Sequence, residues 1–271
     1  TIGPIPKGNT GHFQLVPVSA TARGLPLRSR DSDSAPGHHE TASNVIGMLQ
    51  GSDPTLAGEV IVVDAHYDHL GIGAPVNGDS IYNGADDDAS GTVSVLAVAR
   101  AMAAGPKPKR SILFVLTTGE EEGLLGTTWM LEHFPVPLDS VVANLETEMI
   151  GRPDSRAGGA GRGWLTGFDR STMGAMLRRA HIPIVADPRP DQHFFERSDN
   201  IAFAQRGIPA HTLSSFNLHT DYHQPSDEIS RIDFAHMTAV INPALRAVSL
   251  LANGPLPVWN PGGRPTTRGN H

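Results

Sequence analysis

The sequence predicts an α/β fold: one globular domain on a mixed, mostly parallel β-sheet with helices on both faces. Short apolar, β-branched runs recur at 59–65 (EVIVVDA), 111–118 (SILFVLTT) and 140–148 (SVVANLETE). Each has the length of a strand buried on both faces, not of a helix. Stretches with helical patterning lie between and after them, and strands alternating with helices build parallel sheets. The chain of 271 residues is within reach of one large domain with a sizeable core.

Taken in order, residues 1–43 are rich in Gly, Pro, Ser and Arg and lack periodicity, so an irregular N-terminal arm is expected. A globular domain then spans 44–253. Its first strand covers 59–65, and 71–84 is expected to be a loop with turn residues. A helix over 90–104 (SGTVSVLAVARAMAA) stops at Gly105-Pro106. The second strand is 111–118, followed by a helix over 124–134 ended by prolines, and the third strand is 140–148. Helices are expected at 172–180 and 201–205, a strand at 210–213 and a long helix at 232–251. From Gly254 to His271 a loose Pro- and Gly-containing tail is expected. No internal repeat or low-complexity array is present.

Composition narrows the function. The formal net charge is −7, and no cluster of Lys and Arg of the phosphate-binding kind appears; the closest, 107–110, reads as a loop entering a strand. Nucleic acid is therefore not an expected partner. No apolar run reaches about 18 residues, so no membrane span is expected. Cysteine is absent, which excludes disulfides, thiolate ligands and a thiol nucleophile. A metal site in this chain must be built from His, Asp and Glu. No basic-then-apolar leader follows Thr1, so a signal peptide, if one existed, is expected to be gone.

Acidic and imidazole side chains fall at or just past the ends of the apolar strands, where open α/β sheets form ligand crevices. His66 and Asp68 follow the first strand in AHYDH and share a face in extended backbone. A carboxylate near a ligating histidine commonly fixes its ring orientation. Asp86, Asp87 and Asp88 lie in NGADDDASG. Helix capping explains one or two of these acids, and a divalent cation explains three better. Glu120 and Glu121 lie in TGEEEGLLG. Adjacent acids point differently, so one can bind metal while the other faces substrate as a base. Glu146 and Glu148 close the third strand, and His219, Asp221, Tyr222, His223 and Asp227 lie in HTDYHQPSD. Each stretch alone could be a turn or a helix N-terminus; five together are hard to assign to structure alone. Imidazole and carboxylate donors without Cys suit a catalytic zinc site. Such a site acidifies a water, and a nearby Glu can take its proton.

The order AHYDHLG, NGADDDASG, TGEEEGLLG, ETEMIGRP, RSDNIAFAQRGIPA and DYHQPSDE resembles the co-catalytic zinc aminopeptidases of the aminopeptidase Y and bacterial leucyl aminopeptidase type. The likeness covers roughly 44–251 and identifies 44–253 as a zinc peptidase catalytic domain. It implies two zinc ions: one held by His66 and Glu148, one by Glu121 and His223, with Asp87 bridging both. It further implies that Glu120 is the general base, that Asp68 orients His66, and that Tyr222 steadies the oxyanion of the scissile carbonyl. Arg197, Ser198, Asp199 and Phe203 are implied near the substrate end, although Asp199 could equally cap the helix around Ile201.

Where the family often has Asp and Gly, this chain has Glu148 and Ala89. Glu146, on the same strand face, competes with Glu148 for the ligand role; Glu148 is preferred because it directly precedes Met-Ile-Gly. His69, His219 and Asp227 are expected outside the ligand set, and His12, His38, His39 and His271 away from metal. The implied activity is hydrolysis of the N-terminal peptide bond of peptides with a free N-terminus, apolar first residues being preferred, in a secreted or periplasmic setting. Alternatives are a one-zinc glutaminyl cyclase, a carboxypeptidase of related fold and a scaffold domain without catalysis. The loops 159–168 and 189–195 are expected to shape specificity. The sequence leaves the oligomeric state open.

Overall fold

A computed structural model describes residues 2–4, 11–18 and 40–266. The part of the expected arm at 19–39, with His38 and His39, and residues 267–271, with His271, lie outside the described residues. The strands in chain order are β1 (Phe13–Val18), β2 (Glu40–Leu49), β3 (Val60–His66), β4 (Gly71–Val76), β5 (Asp79–Tyr82), β6 (Ser111–Thr117), β7 (Val141–Thr147), β8 (Gly163–Leu165), β9 (Ile184–Ala186) and β10 (Ala210–Ser214). Eight of them form one sheet in the order β1-β2-β6-β3-β7-β10-β8-β9. The four central strands, β6-β3-β7-β10, are mutually parallel, while β2 and β8 join them antiparallel. The expected mixed, mostly parallel sheet is what forms.

The helices are α1 (Gly91–Ala104), α2 (Leu125–Glu132), α3 (Met173–Arg179), α4 (Asn200–Gln205) and α5 (Phe234–Asn253). Strand alternation divides the core between the two faces of the sheet. Ile61, Val63 and Ala65 of β3 pack with Val95 and Val98 of α1 and with Val240, Ala244 and Leu251 of α5. Val60 and Val62 pack the other way, with Met130 of α2 and Phe203 of α4. All seven β3 residues are buried, which is why the run is continuously apolar instead of alternating. By length and composition α5 could cross a membrane. Here it is a core helix, its Met237, Val240, Ala247 and Val248 buried within the domain.

Four sequence expectations need correction. The N-terminal stretch is not wholly irregular: β1 pairs with β2 along its length, and Gly3 bridges to Met48. The 71–84 loop is a hairpin, β4 with β5, turning at Asn77 and Gly78, both at positive φ. That dipeptide is the two-residue hairpin signal, masked by flanks poor in β-branched residues. The short strands β8 and β9 were not expected, since three residues carry no readable period. Finally, 254–266 is not a loose tail. Trp259 bridges to Ser171 and donates its indole N–H to the Gly207 carbonyl at 2.8 Å.

Candidate metal centre

The central parallel strands end along one edge of the sheet, and the acidic and imidazole side chains gather there. His66 closes β3 and is fully buried, with Nδ1 3.1 Å from the backbone carbonyl of Asp68. The Asp68 carboxylate, expected to orient the ring, is 3.8 Å from Nδ1. It instead accepts the backbone N–H groups of Glu120 and Glu121 at 3.2 and 3.3 Å.

The three aspartates leave the helical turn Ala85–Ser90 in three directions. Asp86 accepts from Gly151 N at 2.6 Å, and its other oxygen is 3.0 Å from His219 Nε2. Asp88 accepts from Gly91 N and Met149 N, each at 3.0 Å, and so carries the expected helix-capping role for α1. Asp87 faces the imidazoles. Its Oδ1 is 3.3 Å from His66 Nε2, and its Oδ2 is 3.2 Å from His223 Nε2 and 3.8 Å from His69 Nδ1.

The loop after β6 carries the adjacent glutamates. Asn44 closes its base, accepting from Thr118 N at 3.1 Å and donating to the Gly126 carbonyl at 2.9 Å. A Cβ at Gly126 would lie 2.4 Å from the Asn44 side chain, so the closure requires glycine there. Glu121 sits 2.9 Å from His69 Nδ1 through one oxygen and 3.3 Å from His223 Nε2 through the other. Glu120 points into the cavity beside them.

Glu146 does not compete with Glu148. Its carboxylate is buried at the start of α4, accepting from Ser198 Oγ, Asp199 N at 3.2 Å, Asn200 N at 3.0 Å and Thr212 Oγ1 at 2.8 Å. Four donors occupy it, and it caps α4 from a neighbouring strand. Asp199 therefore does not cap that helix; its carboxylate accepts from Thr117 Oγ1 at 2.6 Å. Of the residues expected near substrate, only Arg197 reaches the cavity; Ser198, Asp199 and Phe203 are buried.

Two overlapping groups of metal-donor atoms result. His66, Asp87 and Glu148 have theirs within 4.8 Å of one another, and so do His69, Asp87 and Glu121. His66 Nε2, both His69 ring nitrogens, Asp87 Oδ2 and Glu121 Oε1 are buried without hydrogen-bond partners. Buried polar atoms of native proteins are nearly always satisfied, and cations in the two groups that share Asp87 would satisfy these atoms, His69 Nε2 excepted. The set fits divalent zinc, which takes imidazole and carboxylate ligands.

The electrostatics agree. Burial pushes the Glu120 carboxyl up to about 10, with Asp199, Glu148 and Glu146 adding to it against the pull of His66. Burial, and then Glu146, pushes Glu148 up to about 8. For His223, the Asp87 and Glu121 carboxylates outweigh the lowering effect of burial and hold the imidazole at about 9. Buried like charges favour neutral forms, and a cation among them reverses that preference.

These groups line a cavity of ≈ 680 Å³. One part of its wall is acidic, with Asp87, Glu120, Glu121 and Glu148; the other is apolar, with Met149, Trp164, Phe194 and Phe216. Tyr222 stacks on His223 at 3.8 Å between centroids, and its hydroxyl is 3.5 Å from Arg197 Nη2. His219 and Asp227 lie outside both donor groups and brace the aspartate turn. Asp227 Oδ2 accepts from Asp86 N at 2.9 Å and Asp87 N at 3.1 Å. Sequence reasoning missed Arg152, which bonds Asp221 at 2.6 Å and Asp227 at 2.9 Å. His69, expected outside the ligand set, lies with Asp87 and Glu121 in one of the donor groups. The signal for His69 was its position three residues past His66 in AHYDH.

The sequence profile of Peptidase family M28 matches residues 44–248. The chain belongs to peptidase family M28. Among curated relatives, it is 26% identical over 216 residues to leucine aminopeptidase 1 of Trichophyton rubrum, covering 74% of this chain and 55% of that protein. It is 35% identical over 112 residues to a probable zinc metalloprotease of Pyrenophora tritici-repentis (strain Pt-1C-BFP), covering 41% of this chain and 22% of that protein. The M28 chain thus spans only part of the length of these relatives. The fold is similar to that of the aminopeptidase from Aneurinibacillus sp. strain AM-1, with TM-score 0.62 and 23% identity over 82% of this chain and 50% of that one.

Proposed function

We propose that this M28 chain is a zinc aminopeptidase that removes the first residue of peptides with a free N-terminus, using two zinc ions. The observation that carries the reading is the pair of donor groups sharing Asp87, set beside a glutamate that belongs to neither. His66, Asp87 and Glu148 would hold one ion, and Asp87 and Glu121 the other together with His223, whose Nε2 lies 3.2 Å from Asp87 Oδ2 and 3.3 Å from Glu121 Oε2. When bound, such ions acidify a water and polarise the scissile carbonyl.

The chain's own residues supply the rest. Glu120, in the cavity and outside both donor groups, takes the proton of the attacking water on its carboxylate and passes it to the leaving amine. The Tyr222 hydroxyl donates to the oxygen of the scissile carbonyl as negative charge develops there. The substrate's α-amine, a cation when protonated, meets the carboxylates of Glu148 and Glu120, whereas a C-terminal carboxylate would be repelled by them. Met149, Trp164, Phe194 and Phe216 line the cavity for an apolar first side chain, whose burial would contribute roughly 1.5–3 kcal/mol for a leucine. A one-zinc cyclase has no use for a second donor group, and a carboxypeptidase would face the substrate carboxylate with these acids.

The test compares leucyl anilide with the same compound acetylated on its amine. The free amine should be cleaved readily and the blocked compound left intact. Equal hydrolysis of both, or release of only the C-terminal residue from a free peptide, contradicts the reading.

A further inference from the structure

His69 has no role in the two-ion scheme above. Its side chain is 7% exposed, and neither ring nitrogen has a hydrogen-bond partner. Nδ1 is 2.9 Å from Glu121 Oε1 without forming a hydrogen bond to it, so that oxygen lies off the direction of a ring N–H. That relation is expected of two ligands converging on one ion, and not of a donor and its acceptor. Nδ1 is also 3.8 Å from Asp87 Oδ2, while His223 Nε2 lies 3.2 Å from the same oxygen and 3.3 Å from Glu121 Oε2. Donors of a tetrahedral zinc with bonds of about 2.0 Å stand roughly 3.3 Å apart.

The ring is also held in place. Gly84 packs its backbone against it at φ 65°, and a Cβ there would come 2.6 Å from His69 Cγ and 2.4 Å from the Asp87 carbonyl oxygen. Any side chain at 84 would displace the imidazole and the aspartate together.

We propose that His69 is a fourth protein ligand, through Nδ1, of the ion shared by Asp87, Glu121 and His223. The inference rests on the two-zinc reading above. It makes the two sites unequal. The His66, Asp87 and Glu148 site has three protein ligands, whereas the His69 site has four. The His69 site therefore retains its ion more tightly, and the three-ligand site exchanges first.

The experiment loads metal-free protein with cadmium-113 and reads its scalar coupling to nitrogen-15-labelled histidine rings. Three coupled imidazoles are expected, from His66, His69 and His223. In His69→Ala one coupling disappears, and one of two zinc equivalents loosens by more than 100-fold in chelator competition, beyond the roughly 10–100-fold cost of losing a group that only orients a ligand. Two coupled imidazoles in the unmodified protein overturn the proposal while leaving the two-zinc reading standing. Failure to bind two equivalents overturns that reading, and the proposal with it. Because the coupling count needs no variant, the test does not depend on His69→Ala folding.

Discussion

Glu120 and Glu121 are neighbours whose backbone N–H groups share one acceptor, the Asp68 carboxylate, yet their side chains part. Glu121 meets two imidazoles, and Glu120 enters the cavity away from both donor groups. Glu120→Gln is therefore expected to keep its zinc and lower kcat by about 10²–10⁴, the usual worth of a general base. Glu121→Gln is expected to bind less zinc, read by metal content after dialysis. The reverse pattern would exchange the two roles. That acids and imidazoles cluster was legible in the sequence, because each follows an apolar strand. Their division of labour was not. Glu146 and Glu148 share a strand face, and only the start of α4 packed over Glu146 separates them.

At the level of elements, loops are braced by side chains from distant parts of the chain. Glu146, on β7, caps α4 by accepting the Asp199 and Asn200 backbone N–H groups, and the sequence could not disclose this because the strand and helix are joined only by packing. Glu146→Gln turns one acceptor oxygen into an NH₂ facing backbone N–H groups. A buried group left unsatisfied costs about 1–3 kcal/mol, so the melting temperature should fall by several degrees with zinc content unchanged. A loss of zinc without a loss of stability would instead make Glu146 a ligand. Arg152 joins the turns before Tyr222 and after His223 through Asp221 and Asp227, and Asp227 in turn holds the backbone of Asp87. The buried central strands were readable as continuous apolar runs. The hairpin β4–β5 and strands β8 and β9 were not, being Gly-rich or three residues long.

Across the molecule, the sheet sets the site at one edge while its interior also holds neutral polar contacts. His211 on β10 is fully buried, with Nδ1 2.7 Å from the Thr166 carbonyl and Nε2 2.6 Å from Ser171 Oγ. Burial lowers its pKa from 6.5 to about 4. The unfolded chain therefore binds a proton that the folded chain refuses, and stability falls as pH drops from about 6.5 towards 4. The full effect is on the order of 3 kcal/mol. In zinc-free protein, His211→Gln should flatten this part of the stability–pH profile, measured by urea denaturation; an unchanged slope would remove His211 as its cause. The parallel core and its acid-lined edge were legible from strand runs and the residues after them. The closures made by 13–18 and 254–266 were not, because their Pro-containing text carries little period. The central claim is that Asp87 joins two zinc sites. It is tested most directly by counting zinc per chain at saturation, in the unmodified protein and in Asp87→Asn. Two ions are predicted for the former, with both bindings weakened together in the latter. One ion or none in the unmodified protein, or loss of a single ion in Asp87→Asn with the other held at full affinity, would contradict it.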